Sequence, residues 1–169
     1  NNKKAGKEFQ LLSYYNIAAE ALRNHNIDAS LRHTIEGLKL DDEYPLLNYL
    51  LSKICLRTGD LNQAIKLCKK TYRKNISILK NKSFTNNDIV LSSEELLLYG
   101  LNISRLAGNN EALNYFLFEY AQPPYKNFIN DSSGKSSVIK KILSKYPIDD
   151  EAITIIESIS APGNIEYLV

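Results

Sequence analysis

Arg57-Thr58-Gly59-Asp60-Leu61-Asn62-Gln63-Ala64-Ile65 is the stretch on which the reading of the fold turns. Gly59 suits the left-handed residue that closes a helix, because a residue without a Cβ takes positive φ at no steric cost. Asp60 suits the start of the next helix, where a carboxylate complements the amide end of the dipole. Toward the N-terminus, Pro45 suits a first helical turn, where its missing N–H costs little. Leu47, Leu50, Leu51, Ile54 and Cys55 then follow at helical spacing. Toward the C-terminus, Leu61, Ala64, Ile65, Cys68 and Tyr72 make the stripe of a second helix. The stretch therefore predicts a helix–turn–helix, with Ala64 small enough to let the two arms approach closely.

Shifted back by 34 positions, the same pattern returns. Leu56-Arg57 falls on Leu22-Arg23, Leu61 on Ile27, Ala64 on Ser30, Ile65 on Leu31 and Tyr72 on Leu38. One helical hairpin exposes an apolar face that it cannot bury alone, so such a period marks stacked hairpins. In the first copy, a helix over about 7–24 is expected to turn Phe9, Leu12, Tyr15, Ala19 and Leu22 inward. A second helix is expected to bury Ile27, Leu31, Ile35 and Leu38, with Asp28 capping or favouring its start. His25 stands where the later copy has Gly59.

After Asn75 the pattern breaks. Lys80 to Leu91 is polar, Asn-rich and without an apolar stripe, which predicts an inserted loop. Ser92-x-x-Glu95 is a capping-box signature for a fifth helix ending near Gly108. A sixth spans Asn110 to Tyr120 and stops at Pro123-Pro124. Beyond a second polar break at Asn130 to Ser136, Ser137–Tyr146 and Asp149–Ser160 suggest a last hairpin. The expected organisation is one helical-repeat domain over 1–169. Its units are 11–44, 45–78, 93–126 and a degenerate 137–162, separated by an inserted loop at 79–92 and a loop at 127–136.

These residues resemble the tetratricopeptide repeat family, the 45–78 unit most clearly. The stretch from Arg57 to Ile65 looks like that family's turn and second-helix start, with Ala64 at its small close-contact position. Leu51 stands at a first-helix packing position, and Cys55 where a larger aromatic is usual. Ser30 takes the small position of the first unit, and Gly37-Leu38-Lys39-Leu40-Asp41 resembles a unit ending. The third unit has Gly100 and Ala112 at small positions, Phe116 at an aromatic one and Pro124 at the close. The fourth matches only through Ala152 and Ile156. Spacing measures the departures: Ala64 to Ala112 is 48 positions and Ala112 to Ala152 is 40. The resemblance implies an all-α, right-handed solenoid of stacked antiparallel hairpins that binds other proteins.

Composition narrows the function. With 169 residues, 44% hydrophobic and 24% charged, the chain can bury a core. A formal net charge of +2 gives no general reason to expect nucleic acid or anionic membrane as partner. No apolar run reaches the roughly 18–20 residues of a membrane span. Two cysteines, Cys55 and Cys68, are too few for a disulfide framework, so an intracellular setting, cytoplasmic or nuclear, is expected. Asn1 is no translation start, so the chain is expected to be part of a longer or processed protein.

The resemblance implies a concave groove lined by the first helix of each unit. In this register it holds Tyr15, Ala19, Leu22 and Arg23, then Leu46, Tyr49, Lys53, Leu56 and Arg57, then Leu97, Leu101, Ser104 and Arg105. Such a mainly apolar groove suits a peptide or amphipathic helix of a partner protein. The alternative is that these side chains pack against neighbouring helices. Arg23, Arg57 and Arg105 share one register, as a ladder for an acidic or phosphorylated segment or as cations complementing helix C-termini. The family's clamp for a chaperone C-terminal tail has no match, since its sites fall at Tyr15, Ala19, Leu50, Glu94 and Leu98.

Chemistry is not expected. Gly134-Lys135-Ser136 mimics the end of a phosphate loop, but the required first glycine falls at Ile129. His25 and His33 have no ligand cluster, so no metal or cofactor is expected. No nucleophile–base set is suggested, so the chain reads as a non-enzyme. Lys69, Lys70, Arg73 and Lys74 form a basic stretch that reads as a solvated face. The alternative function is a helical-repeat nucleic-acid-binding module using that stretch and the three arginines.

Overall fold

The computed structural model describes residues 2–80 and 91–121. The expected fourth unit, the Pro123-Pro124 stop, the Gly134-Lys135-Ser136 sequence and most of the inserted loop lie outside the described residues. Among those described, the chain is entirely helical: α1 Asn2–Arg23, α2 Ile27–Leu40, α3 Pro45–Thr58, α4 Leu61–Lys80, α5 Ser93–Leu106 and α6 Asn110–Ala121. It divides into two compact units, Asn1–Leu96 and Leu97–Val169.

Local chemistry explains the turns. His25, Gly59 and Gly108 all take positive φ, at 60°, 85° and 61°. In each turn the following amide reaches back five residues: Asn26 to Ala21 O, Asp60 to Cys55 O and Asn109 to Ser104 O. The next helix is then capped by a side-chain oxygen. Asn26, Asp60 and Asn109 accept from the amides of Ala29, Gln63 and Ala112 at 3.1, 3.1 and 2.9 Å. Asn26 is thus the cap of α2, and Asp28 sits in its first turn, where it favours the dipole. Ser92 Oγ caps α5 by accepting from Glu95 N at 3.3 Å. Gly108 lies 49 positions after Gly59, while Ala112 lies 48 after Ala64. The third turn and the start of α6 therefore fall one residue later than the spacing of the two alanines.

In the first unit α1 packs chiefly on α2, and α3 on α4; α3 also meets α2 and α1. The α1–α2 contact is close because the facing residues are small. Ser30 Oγ donates to Ala18 O at 2.8 Å, and both residues are fully buried. Thr34 Oγ1 turns back to Ser30 O at 2.8 Å. A Cβ at Gly37 would lie 2.5 Å from Leu47 Cδ1 and 3.0 Å from Tyr14 Cβ. This corrects the expected α2 stripe, because Ser30, Thr34 and Gly37 face inward while Leu31 and Ile35 are each 39% exposed. Phe9 on α1 is likewise outward, at 72% exposure, and Leu11 is buried in its place.

The α3–α4 contact repeats the arrangement. Ser52 Oγ donates to Ala64 O at 2.7 Å, with both residues fully buried. Ala18, Ala19 and Leu22 of α1 join Leu50 and Ile54 of α3 in one apolar cluster, with Tyr15 and Ile27 packed on it. At the α1 positions 34 residues before Leu47, Leu50 and Ile54 stand Ser13, Asn16 and Glu20, none of them buried. The apolar seam of α3 therefore has no counterpart on α1.

Helix α4 runs to Lys80, past the expected break. Fully buried Asn75 explains what happens there. Its Nδ2 donates to Leu91 O and Ser93 Oγ, each at 2.8 Å, and its Oδ1 accepts from Leu91 N at 3.0 Å. One side chain thus satisfies both backbone groups of Leu91 and ties α4 to the start of α5.

In the second unit, the described core includes Leu101, Ile103, Ala112, Phe116 and Leu117, all buried. A Cβ at Gly100 would collide with the Phe116 ring. Ser104 Oγ donates to Gly100 O at 2.6 Å. Tyr115 meets Phe116 edge-on, with ring centroids 5.2 Å apart.

Candidate partner-binding surface

Helices α1 and α3 position the candidate residues of the first unit, and burial sorts them. Ala19, Leu22 and Leu46 are buried at 9%, 5% and 7% exposure. Ala19 and Leu22 belong to the α1–α3 cluster, so they hold the unit together and offer a partner little surface. Tyr15, Tyr49, Lys53 and Leu56 are half-buried. Such residues have a fixed position and still present area to a partner. In the second unit Leu97, Leu101 and Ser104 are buried, and Arg105 is half-buried.

The arginines are engaged locally. Arg57 Nη1 donates across to Leu22 O in the last turn of α1, at 2.9 Å. It thereby satisfies a carbonyl at a helix end, where a cation also complements the dipole. Arg23 pairs with Glu20 at 2.5 Å on the exposed face of α1. The hydrogen bond from Arg23, followed by its charge, holds the Glu20 carboxyl below the usual range. The structure supports the helix-end reading for Arg57 and gives Arg23 a partner on its own helix.

Lys53 is different. Its ammonium sits 4.3 Å from the centroid of the Tyr49 ring, one turn away on α3. Burial, aided by the charge of Arg57, holds it below the usual lysine value, against the opposing influence of Glu95. Among the described residues it makes no ion pair.

The basic stretch on α4 also has structural partners. Lys70 Nζ donates to Asp42 O at 2.7 Å, and Lys74 pairs with Glu43 at 2.5 Å. Together with Asn48 Nδ2, which donates to Asp42 O at 2.8 Å, they fasten the segment between α2 and α3. Sequence reasoning missed this role, because the acceptor on Asp42 is a backbone carbonyl.

Neither thiol is set up for chemistry. Cys68 is fully buried, donates weakly to Leu96 O at 3.4 Å, and is pushed by burial up to about 12. Burial also raises half-buried Cys55. A reactive cysteine needs the opposite shift. Among the described residues no three His, Cys, Asp or Glu side chains gather as metal ligands. No described helix is long and apolar enough to cross a membrane.

A cleft of about 460 Å³ lies between the first turns of α1, the segment before α3 and the end of α4. Phe9, Leu12, Pro45 and Ile78 line it, and the Lys7–Asp41 pair, at 3.6 Å, stands at its rim. It escaped the sequence reading because the first turn of α1 carries lysines and no apolar period. No protein-family model, curated protein or solved structure matches the chain.

Proposed function

We propose that this chain is a tetratricopeptide-like right-handed solenoid of stacked antiparallel hairpins, working as a protein–protein interaction module. Support for the repeat comes from the Ala18–Ser30 contact, which recurs 34 positions later as Ser52–Ala64. The module acts by binding a peptide or helix of a partner protein, without chemistry, as a scaffold or adaptor in a larger complex. Free thiols at Cys55 and Cys68 support a reducing intracellular setting, cytoplasmic or nuclear.

The observation that carries the binding reading is that Tyr49, Lys53 and Leu56 on α3 and Tyr15 on α1 are all half-buried, with Lys53 over the Tyr49 ring. Partly buried aromatics present large area at small entropic cost, as interface anchors do. The experiment is capture of cellular partners by the whole chain, wild type against Tyr49→Glu. Partners held by the wild type should be lost from the variant at an unchanged melting temperature; equal retention contradicts the reading. The nucleic-acid alternative loses support, because Lys70, Lys74 and Arg57 already serve acceptors within the fold.

A further inference from the structure

We infer that Lys53, backed by Arg57 and the Tyr49 ring, is an anchor for one acidic side chain of a bound peptide with apolar neighbours. This rests on the binding reading above and names the chemistry that its residues select. Tyr49, Lys53 and Arg57 follow one another at four-residue steps, so they share a stripe of α3. Two of the three are cations, and Arg57 is close enough for its charge to weigh on Lys53. Glu95 is the acidic group whose field reaches Lys53, and it stands beyond ion-pair distance.

Among the described residues no carboxylate touches this half-buried ammonium, although the field of Glu95 outweighs that of Arg57. A carboxylate delivered there gains a charge-assisted contact and relieves the Lys53–Arg57 repulsion. Half-buried Leu56, three residues on along α3, and Tyr15, packed on the α1–α3 cluster, supply apolar surface in the same unit. A nucleic acid would need a longer run of uncommitted cations, and Arg57 already gives one N–H to Leu22 O.

The test is fluorescence anisotropy of the whole chain with two labelled peptides, Gly-Ser-Leu-Glu-Leu-Ser-Gly and the same peptide with glutamine for glutamate. The glutamate peptide should bind about tenfold tighter, the scale of one charge-assisted contact. Lys53→Gln should erase that difference, and Lys53→Arg should keep it, with helical circular dichroism unchanged in both variants. Equal binding of the two peptides to the wild type overturns the Lys53 assignment and leaves the binding reading standing. Binding of neither peptide overturns both. Displacement of the glutamate peptide by a uridine dodecamer, with the dodecamer's affinity reduced in Lys53→Gln, overturns the peptide assignment in favour of phosphate.

Discussion

Ser30 Oγ donates to Ala18 O at 2.8 Å, and 34 residues later the two roles are exchanged. There the serine, Ser52, is on the first helix of the pair and donates to Ala64 O on the second, at 2.7 Å. Each helix pair thus has one hydroxyl and one methyl at its closest approach. Counted on by 48 positions, Ser52 and Ala64 fall on Gly100 and Ala112.

Ala64 is fully buried, so Ala64→Asp places a carboxylate in a closed contact where the Ser52 hydroxyl already donates to Ala64 O. The cost should be about 3 kcal/mol or more, enough to unfold a marginal unit. Thermal melting followed by circular dichroism checks this; an unchanged transition would show that residue 64 does not face α3.

Glycines within helices separate backbone propensity from packing. Gly6→Ala meets nothing within 4 Å and should stabilise α1 by about 0.5–1 kcal/mol. Gly100→Ala gains the same propensity but drives its methyl into the Phe116 ring, an overpacking cost of about 1–3 kcal/mol. Packing should win, giving a net loss by urea denaturation. Phe116→Leu should lessen the loss in the double variant.

His25 sits at φ 60°, where a side chain is strained and glycine is not. His25→Gly should therefore raise stability by up to about 1 kcal/mol, the reverse of the usual effect of glycine. Gly59→Ala, at φ 85°, should lower it by a comparable amount. Chemical denaturation midpoints of both variants test the shared turn geometry.

Burial lifts the Cys68 thiol from its ordinary 9.0 to about 12. The unfolded chain then loses this proton before the folded chain does. The thiol's contribution is fully present below about pH 9 and is lost as pH rises toward 12. Melting temperature against pH should fall less steeply above pH 9 in Cys68→Ala than in the wild type, whatever the variant's starting stability. Parallel curves would count against the buried thiol.

Helix order is legible in the chain because its signals are local. Pro45, Gly59 and the Ser92-x-x-Glu95 box each act within one turn of themselves, and α3, its end and α5 lie where they indicate. The inward face of α2 is not legible, since apolar spacing favours Leu31 and Ile35. What decides the face is the acceptor on Ala18 and the room at Gly37, both tertiary facts. The five residues of α4 beyond Asn75 escaped for a similar reason: a polar side chain looks like a break until Leu91 and Ser93 arrive to satisfy it. In the candidate surface, Tyr15, Tyr49 and Lys53 keep accessible area. Ala19, Leu22 and Leu46 do not, because one stripe of a helix cannot both fill the core and face a partner.

The equivalence of residues 18 and 30 with 52 and 64 carries the repeat, and a swap tests it. Ser30→Ala alone should cost about 1 kcal/mol, the net worth of one buried hydrogen bond. Adding Ala18→Ser moves the hydroxyl to the first helix of the pair, as Ser52 has it, and should restore the wild-type denaturation midpoint. A double variant no more stable than Ser30→Ala would contradict the claim that the two helix pairs are copies of one unit.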